Sequence, residues 1–389
     1  MTLILIIIGA AYFILPFLST PLLFWGIYKD RKNYMWYMSG VILNLAFIGY
    51  YYIPRPSNDL YRHFIRMDNL NGLSISEVLS FQPLIIQNLW FYFISVTENY
   101  SLLPFSAVIL TFYFVLKPLF KFGKKEQISQ KITLSFFIII IVWMHLIWPI
   151  SGVRNSVAMA LFFYGLYQEF ILKEKAPKSY IYYLLAALIH YSALILIGLR
   201  IFIALFKRIN WLFVGGILLW GLFADSIINI LNNSNITYLN EVSTKGEIYT
   251  GYSNFSNFGL LNLSMKFLFC VIYVLIYFTL KKKENNIFEK YKGFYNYGLV
   301  LSLFCIGAFN NLLIVDRFGF LVLSFIPILM MPLLNKGKNK LINSLYIIYY
   351  IPFVLLGLYI QYMYLRQASY EINLIEIFTK NLIRLITKT

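Results

Sequence analysis

The chain has 389 residues, of which 60% are hydrophobic and 13% charged, and its mean hydropathy is +0.70. Soluble domains carry about 25% charged residues, so a soluble fold is excluded and the chain reads as an all-α, polytopic integral membrane protein. The net charge of +17 belongs, in such a protein, to Lys-rich cytoplasmic loops and not to nucleic-acid binding.

Taken in order, residues 1–15 are apolar but lack a basic leader and a small-residue cleavage site. They read as the start of a retained first span, near 3–27. Six basic clusters then set the topology. They are Lys29, Arg31 and Lys32; Lys117, Lys121, Lys124, Lys125 and Lys131; Lys173, Lys175 and Lys178; Lys207 and Arg208; Lys281, Lys282, Lys283, Lys290 and Lys292; and Lys336, Lys338 and Lys340. The positive-inside rule makes all six cytoplasmic. The amino terminus is then outside, a second span covers 34–53, and residues 54–100 form an outer loop. Within that loop the apolar piece 83–94 is too short to span and reads as re-entrant or interfacial.

Further spans are expected near 102–119, 132–148 and 153–172. Residues 180–189 and 193–206 are two short apolar halves broken at His190-Tyr191-Ser192, a helical hairpin whose two ends are both cytoplasmic. Such a break at depth needs protein or a wet cavity around it. Spans near 210–230, 259–280, 294–311, 317–334 and 341–361 complete a single transmembrane domain, 1–389, of about ten transmembrane helices. A second outer loop occupies 231–258, rich in Asn, Ser, Thr and Tyr. The tail, 362–389, places Ile375, Phe378, Leu382 and Leu385 at helical spacing and reads as an interfacial amphipathic helix. This topology sets its Lys380, Arg384 and Lys388 outside, against the positive-inside trend. Cys270 and Cys305 both fall in apolar runs, so no disulfide framework is expected.

The basic residues divide by type as well as by side. Of the 21 in the inner clusters 19 are Lys, whereas the outer ones before the tail are Arg55, Arg62, Arg66, Arg154, Lys245 and Arg317. Lys suffices for orientation by charge, while the planar Arg fork suits phosphate or carboxylate. An anionic ligand on the outer face is therefore expected.

The first outer motif is Arg55-Pro-Ser-Asn-Asp59-Leu-Tyr61-Arg62-His63-Phe-Ile-Arg66. Pro56 followed by Ser57 and Asn58 marks a helix entry, after which Asp59, Arg62, His63 and Arg66 share one face. That stripe suits either phosphate binding with proton abstraction from a hydroxyl or a solvated face with internal ion pairs. Asp59 and His63 are potential metal ligands, but no second pair completes a site, and no metal or other cofactor is expected. The second motif is Arg154 in the first turn of a helix that starts after Pro149, Ser151 and Gly152. A cation there opposes the helix dipole, which makes sense if an external anion is held; snorkelling to headgroups is the plainer alternative. His190 and Ser192 lie at the hairpin break, Asp316-Arg317 opens a late span after Asn310-Asn311, and His145 reads as a packed or interfacial residue. The chain has no Asp-x-Asp pair and no glycine-rich phosphate loop, so cytoplasmic nucleotide-sugar chemistry is unsupported.

The order of these motifs resembles the EpsG/Wzy-type polysaccharide polymerases of bacteria over most of the chain. Its most specific pieces are Arg154-Asn155-Ser-Val-Ala158 and Ile189-His190-Tyr-Ser192-Ala-Leu194. The chain departs from that pattern at Asn155, where Gln is frequent, at Gln82, where an acid often precedes Pro, and at His63, where Tyr is common. The resemblance implies a multi-pass enzyme of the bacterial plasma membrane acting without a metal. Its donor would be a growing glycan on a polyprenyl pyrophosphate, its acceptor one lipid-linked repeat unit, and a chain-length-regulating co-polymerase a further partner beside the lipid bilayer. Asp59, His63, His190 and Arg154 would be catalytic. Arg55, Arg62, Arg66, Asn155, Ser192, Asp316 and Arg317 would bind substrate. The alternatives are a flippase for lipid-linked sugars and a membrane O-acyltransferase; the flippase would call for inverted repeats, which are not evident.

Overall fold

Long apolar runs without β-branched/polar alternation leave the backbone one way to satisfy its polar groups in lipid, the α-helix. A computed structural model describes residues 3–81, 83–174, 176–205, 211–220, 257–308, 312–335, 340–369 and 374–387. The described residues are predominantly helical, and their only β pairing is an isolated bridge between Pro54 and Ser369. Residues 221–256, which take in most of the second outer loop, and Gln82, Lys175, Lys207, Arg208, Asn310, Asn311, Lys336, Lys338 and Lys388 lie outside them.

The elements are α1 (Leu3–Ile14), α2 (Thr20–Lys29), α3 (Tyr34–Tyr50), α4 (Asp59–Leu70), α5 (Ile75–Ser80), α6 (Ile85–Ser95), α7 (Leu102–Lys125), α8 (Gln130–Trp143), α9 (Ile147–Ser151) and α10 (Val153–Leu166). A π-helical turn, Tyr167–Leu172, extends α10. There follow α11 (Ala176–Ile189), α12 (Ser192–Leu205), α13 (Trp211–Leu219), α14 (Asn257–Lys283), α15 (Asn285–Lys290), α16 (Lys292–Gly307), α17 (Leu312–Asn335), α18 (Lys340–Ala368), α19 (Leu374–Thr379) and α20 (Leu382–Thr387).

Among the described residues four helices are long and apolar enough to cross a membrane: Leu102–Lys125, Gly259–Lys283, Ile314–Asn335 and Ser344–Gln367. They differ in surroundings. The apolar stretch of α17 is 89% buried and that of α18 only 11%, so α18 turns Ile347, Ile348, Ile351 and Leu355 outward, as a lipid-facing helix does. This is an all-α membrane protein.

Two compact units divide the chain. The first comprises Met1–Tyr164, Leu188–His190 and Ser344–Thr389. Here the expected first span is two helices, because Pro16 cannot donate to the preceding turn. The break is satisfied internally: the Pro16 carbonyl accepts from Ser19 Oγ at 2.7 Å and from Asn44 Nδ2 at 2.9 Å, and the same Nδ2 donates to Thr20 Oγ1 at 3.0 Å. Gly49 on α3 lets that helix come close to Pro104 of α7, where a Cβ would sit 3.3 Å from its carbonyl oxygen. The expected span at 132–148 stops early, at Trp143. His145, 1% exposed, packs in the turn beyond against Trp143 and Tyr364.

The tail also differs from its expected form. It is not one helix but α19 and α20, interrupted at Lys380 and Asn381. Ile377 and Leu385 are buried in a cluster with Phe47, edged by Phe17, Leu43, Tyr51, Phe105 and Leu382. Its apolar face is thus partly protein-covered, while Ile375 stays 79% exposed.

The second unit comprises Gly165–Ala187 and Tyr191–Asn343. Its centre is α14 against α17 and α16. Gly319 of α17 leaves room for the Lys266 stem, which a Cβ there would meet at 2.8 Å. Tyr273 Oη donates to the Tyr295 carbonyl at 3.0 Å, and Tyr297 Oη to the Leu196 carbonyl at 3.0 Å. Buried phenols thereby find acceptors in an apolar interior.

Candidate functional site

The site begins with a helix cap. Asn58 is in extended backbone and its side chain accepts from the Leu60 N–H at 3.0 Å, relieving an orphan donor of α4. The same side chain is tied outward, donating to Tyr52 Oη at 2.8 Å and accepting from Ser151 Oγ. One residue thus fixes where α4 starts and anchors it to the end of α9.

From that start, α4 buries Leu60, His63, Met67 and Leu70. The expected stripe straddles the edge of this face. His63 turns inward, 7% exposed, with its ring 5.2 Å from that of Phe91 on α6. Asp59 and Arg62 form an ion pair on the open flank, their side chains 49% and 70% exposed, which contributes little to stability. Arg66 Nη2 donates to Asn88 Oδ1 at 2.8 Å.

Arg154 approaches from α10, where its Nη1 donates to Gln87 Oε1 at 3.0 Å. Gln87 is fully buried, and its Nε2 donates to Asn88 Oδ1 at 3.4 Å. Asn88 Nδ2 in turn donates to the Phe81 carbonyl. A pair of buried amides on α6 therefore holds one guanidinium from α4 and one from α10. Among the described residues no protein hydrogen bond engages either ring nitrogen of His63. Burial, then Arg154, Arg66 and Arg62, push its pKa from 6.5 down to about 2, because a charged imidazole would be both desolvated and repelled.

The arrangement is three guanidiniums and one exposed carboxylate around a neutral imidazole. It can hold an anion with several oxygens and offer an uncharged nitrogen to a hydroxyl.

Of the residues expected from sequence, Asp59, Arg62, His63, Arg66 and Arg154 come together in the first unit. Arg55 makes a different contact, Nε to the Ser369 carbonyl at 3.1 Å. Asn155 is 8% exposed behind Arg154 on α10. His190, 7% exposed, also belongs to the first unit and stands where the chain leaves α11. Ser192, Asp316 and Arg317 belong to the second. There the Asp316 carboxylate and its own carbonyl, the latter at 2.9 Å, both accept from Lys266 Nζ. Lys266 is 1% exposed and lies 3.6 Å from the Phe320 ring centroid. Sequence reasoning missed Gln87, Asn88 and Lys266. The signal was present: two adjacent amides in the apolar piece 83–94, and a cation inside a span.

Fold and site together define a polytopic all-α membrane protein in which three guanidiniums gather around a buried imidazole. Comparison with known families matches residues 59–374 to the EpsG family, a stretch that opens on Asp59 and covers most of the chain. The chain belongs to the EpsG family, which makes it, in general terms, a polysaccharide polymerase. No curated protein and no solved structure matched it.

Proposed function

We propose that the protein joins polyprenyl-diphosphate-linked glycan units on the outer face of a bacterial plasma membrane. The observation that carries this reading is His63, neutral and ringed by Arg62, Arg66 and Arg154, with Arg154 fixed by Gln87. In the reaction an acceptor hydroxyl attacks the anomeric carbon of the donor glycan. The bond from that carbon to the diphosphate oxygen breaks, and the lipid diphosphate leaves with the electron pair.

Arg154 and Arg66 stabilise the charge that develops on the departing oxygens, where fixed donors act most strongly. His63 takes the hydroxyl proton. Bound diphosphate offsets the three guanidiniums, so the imidazole becomes more basic only when the donor is in place. Asp59 holds Arg62 in register. His190, in the same unit, is a further catalytic candidate, and a co-polymerase sets chain length.

The test is direct. Purified protein in liposomes is supplied with lipid-linked repeat units, and products are resolved by length. A ladder of extended glycans that disappears in Arg154→Ala and His63→Ala supports the reading. Units moved across the membrane without extension would replace it with a flippase.

A further inference from the structure

The first unit carries a second cationic feature, among the Lys-rich segments that the candidate site does not use. A small surface concavity is lined by Arg31, Tyr34, Phe120, Lys124, Gln130 and Thr133. One wall is apolar, with the Tyr34 ring stacked on Phe120 at 4.9 Å between centroids. The opposite chemistry is positive. Arg31 Nη2 donates to the Gly123 carbonyl at 3.0 Å, which anchors the guanidinium while its other N–H groups have no protein acceptor among the described residues.

Lys124 is exposed, and among the described residues its ammonium has no protein acceptor either. No carboxylate lines the concavity. Two cations held at one hollow without a counter-charge raise the local potential and favour an anion between them. The start of α8 adds to the same field: Gln130 and Thr133 are in its first turns, no acidic residue is in its first turn, and Ser129 supplies no side-chain cap.

We propose that this concavity binds a phosphate group, carried either by an anionic lipid headgroup or by a soluble phosphate compound. The guanidinium fork takes two oxygens and the ammonium a third, a division of labour that suits tetrahedral phosphate better than planar carboxylate. Its place among Lys117, Lys121, Lys124 and Lys125 at the end of α7 is where the positive-inside rule expects the inner leaflet, and basic hollows between helices there accept anionic headgroups. The apolar wall of Tyr34 and Phe120 suits the glycerol portion of such a lipid. This site is independent of the polymerase reading.

The experiment uses the full-length protein in uncharged detergent. Its heat-unfolding midpoint is measured with phosphatidylglycerol against phosphatidylcholine, and with inorganic phosphate against chloride at equal ionic strength. A ligand that binds only the folded state raises the midpoint, on the order of 3 °C or more when well above its Kd. We expect such a rise in the wild type, reduced to less than half in R31Q/K124Q and retained in the charge-matched control K121Q/K125Q. A rise with phosphatidylglycerol alone assigns the headgroup, and one with inorganic phosphate assigns the soluble source. If R31Q/K124Q does not purify, K124Q decides, since that side chain is exposed. No rise with either probe, or an undiminished rise in the lining variants, or equal loss in the control, overturns the proposal.

Discussion

At the scale of single residues, the candidate site turns on geometry that a charge count does not capture. Arg154 donates through Nη1 to the buried Gln87 amide, which fixes the guanidinium beside His63. Arg154→Ala should lower the polymerisation rate by about 100-fold or more, the usual range for losing one donor to a developing oxyanion. Arg154→Lys should recover little, since one ammonium cannot both hold Gln87 and span two oxygens. Rates of ladder formation at saturating donor check both. His63 gives a pH prediction. Its pKa falls from 6.5 to about 2 on folding, so between those values the unfolded chain binds the extra proton. Stability is therefore lost as pH drops below about 6.5 and is unaffected by this group above it. The unfolding midpoint should fall less in His63→Gln than in the wild type when measured from pH 7.5 down to pH 4.5 (range chosen to bracket histidine titration, about one to two units either side of 6.5). Parallel curves would refute a buried neutral imidazole.

At the scale of elements, α4 is held by its ends more than by its length. Twelve residues are marginal for an isolated helix, so the Asn58 cap and the buried face of Leu60, Met67 and Leu70 carry it. Asn58→Ala removes the bond from the Leu60 N–H and the contacts to Tyr52 and Ser151. It should cost about 1 kcal/mol of stability and raise the donor KM, because Arg62, His63 and Arg66 lose their common mounting; unfolding and initial-rate measurements would show both. The tail gives an independent check. Leu385 is fully buried beside Phe47 and Ile377, so Leu385→Ala should destabilise by about 3 kcal/mol. An interfacial tail held by lipid alone would leave the unfolding midpoint unchanged. The chain pattern at Ile375, Phe378, Leu382 and Leu385 showed that the tail is amphipathic. It did not show the interruption at Lys380 and Asn381, which lets Leu385 turn onto α3.

At the scale of the whole molecule, sidedness is the open quantity with the simplest measurement. Both native cysteines are buried, so introduced thiols report with little background. Ser76→Cys, on exposed α5, should react with a membrane-impermeant reagent in intact spheroplasts. Lys125→Cys, exposed at the end of α7, should react only after permeabilisation. The reverse pattern would turn the candidate site toward the cytoplasm and end the outer-face reading.

Sequence by itself determined the helical membrane character, because hydropathy over some 20 residues decides whether a backbone can live in lipid. It also determined the Asp59–Arg62–His63–Arg66 stripe, because spacings of three and four residues are local geometry. Only the tertiary structure decided that Arg154 would meet Gln87 across 67 residues of chain, that His63 would face inward from that stripe, and that Asp316 would accept from Lys266. The physical reason is range. Periodicity fixes which face a side chain occupies on its own helix, whereas its partner is chosen by how separate helices pack, and that depends on volumes and contacts no local pattern encodes.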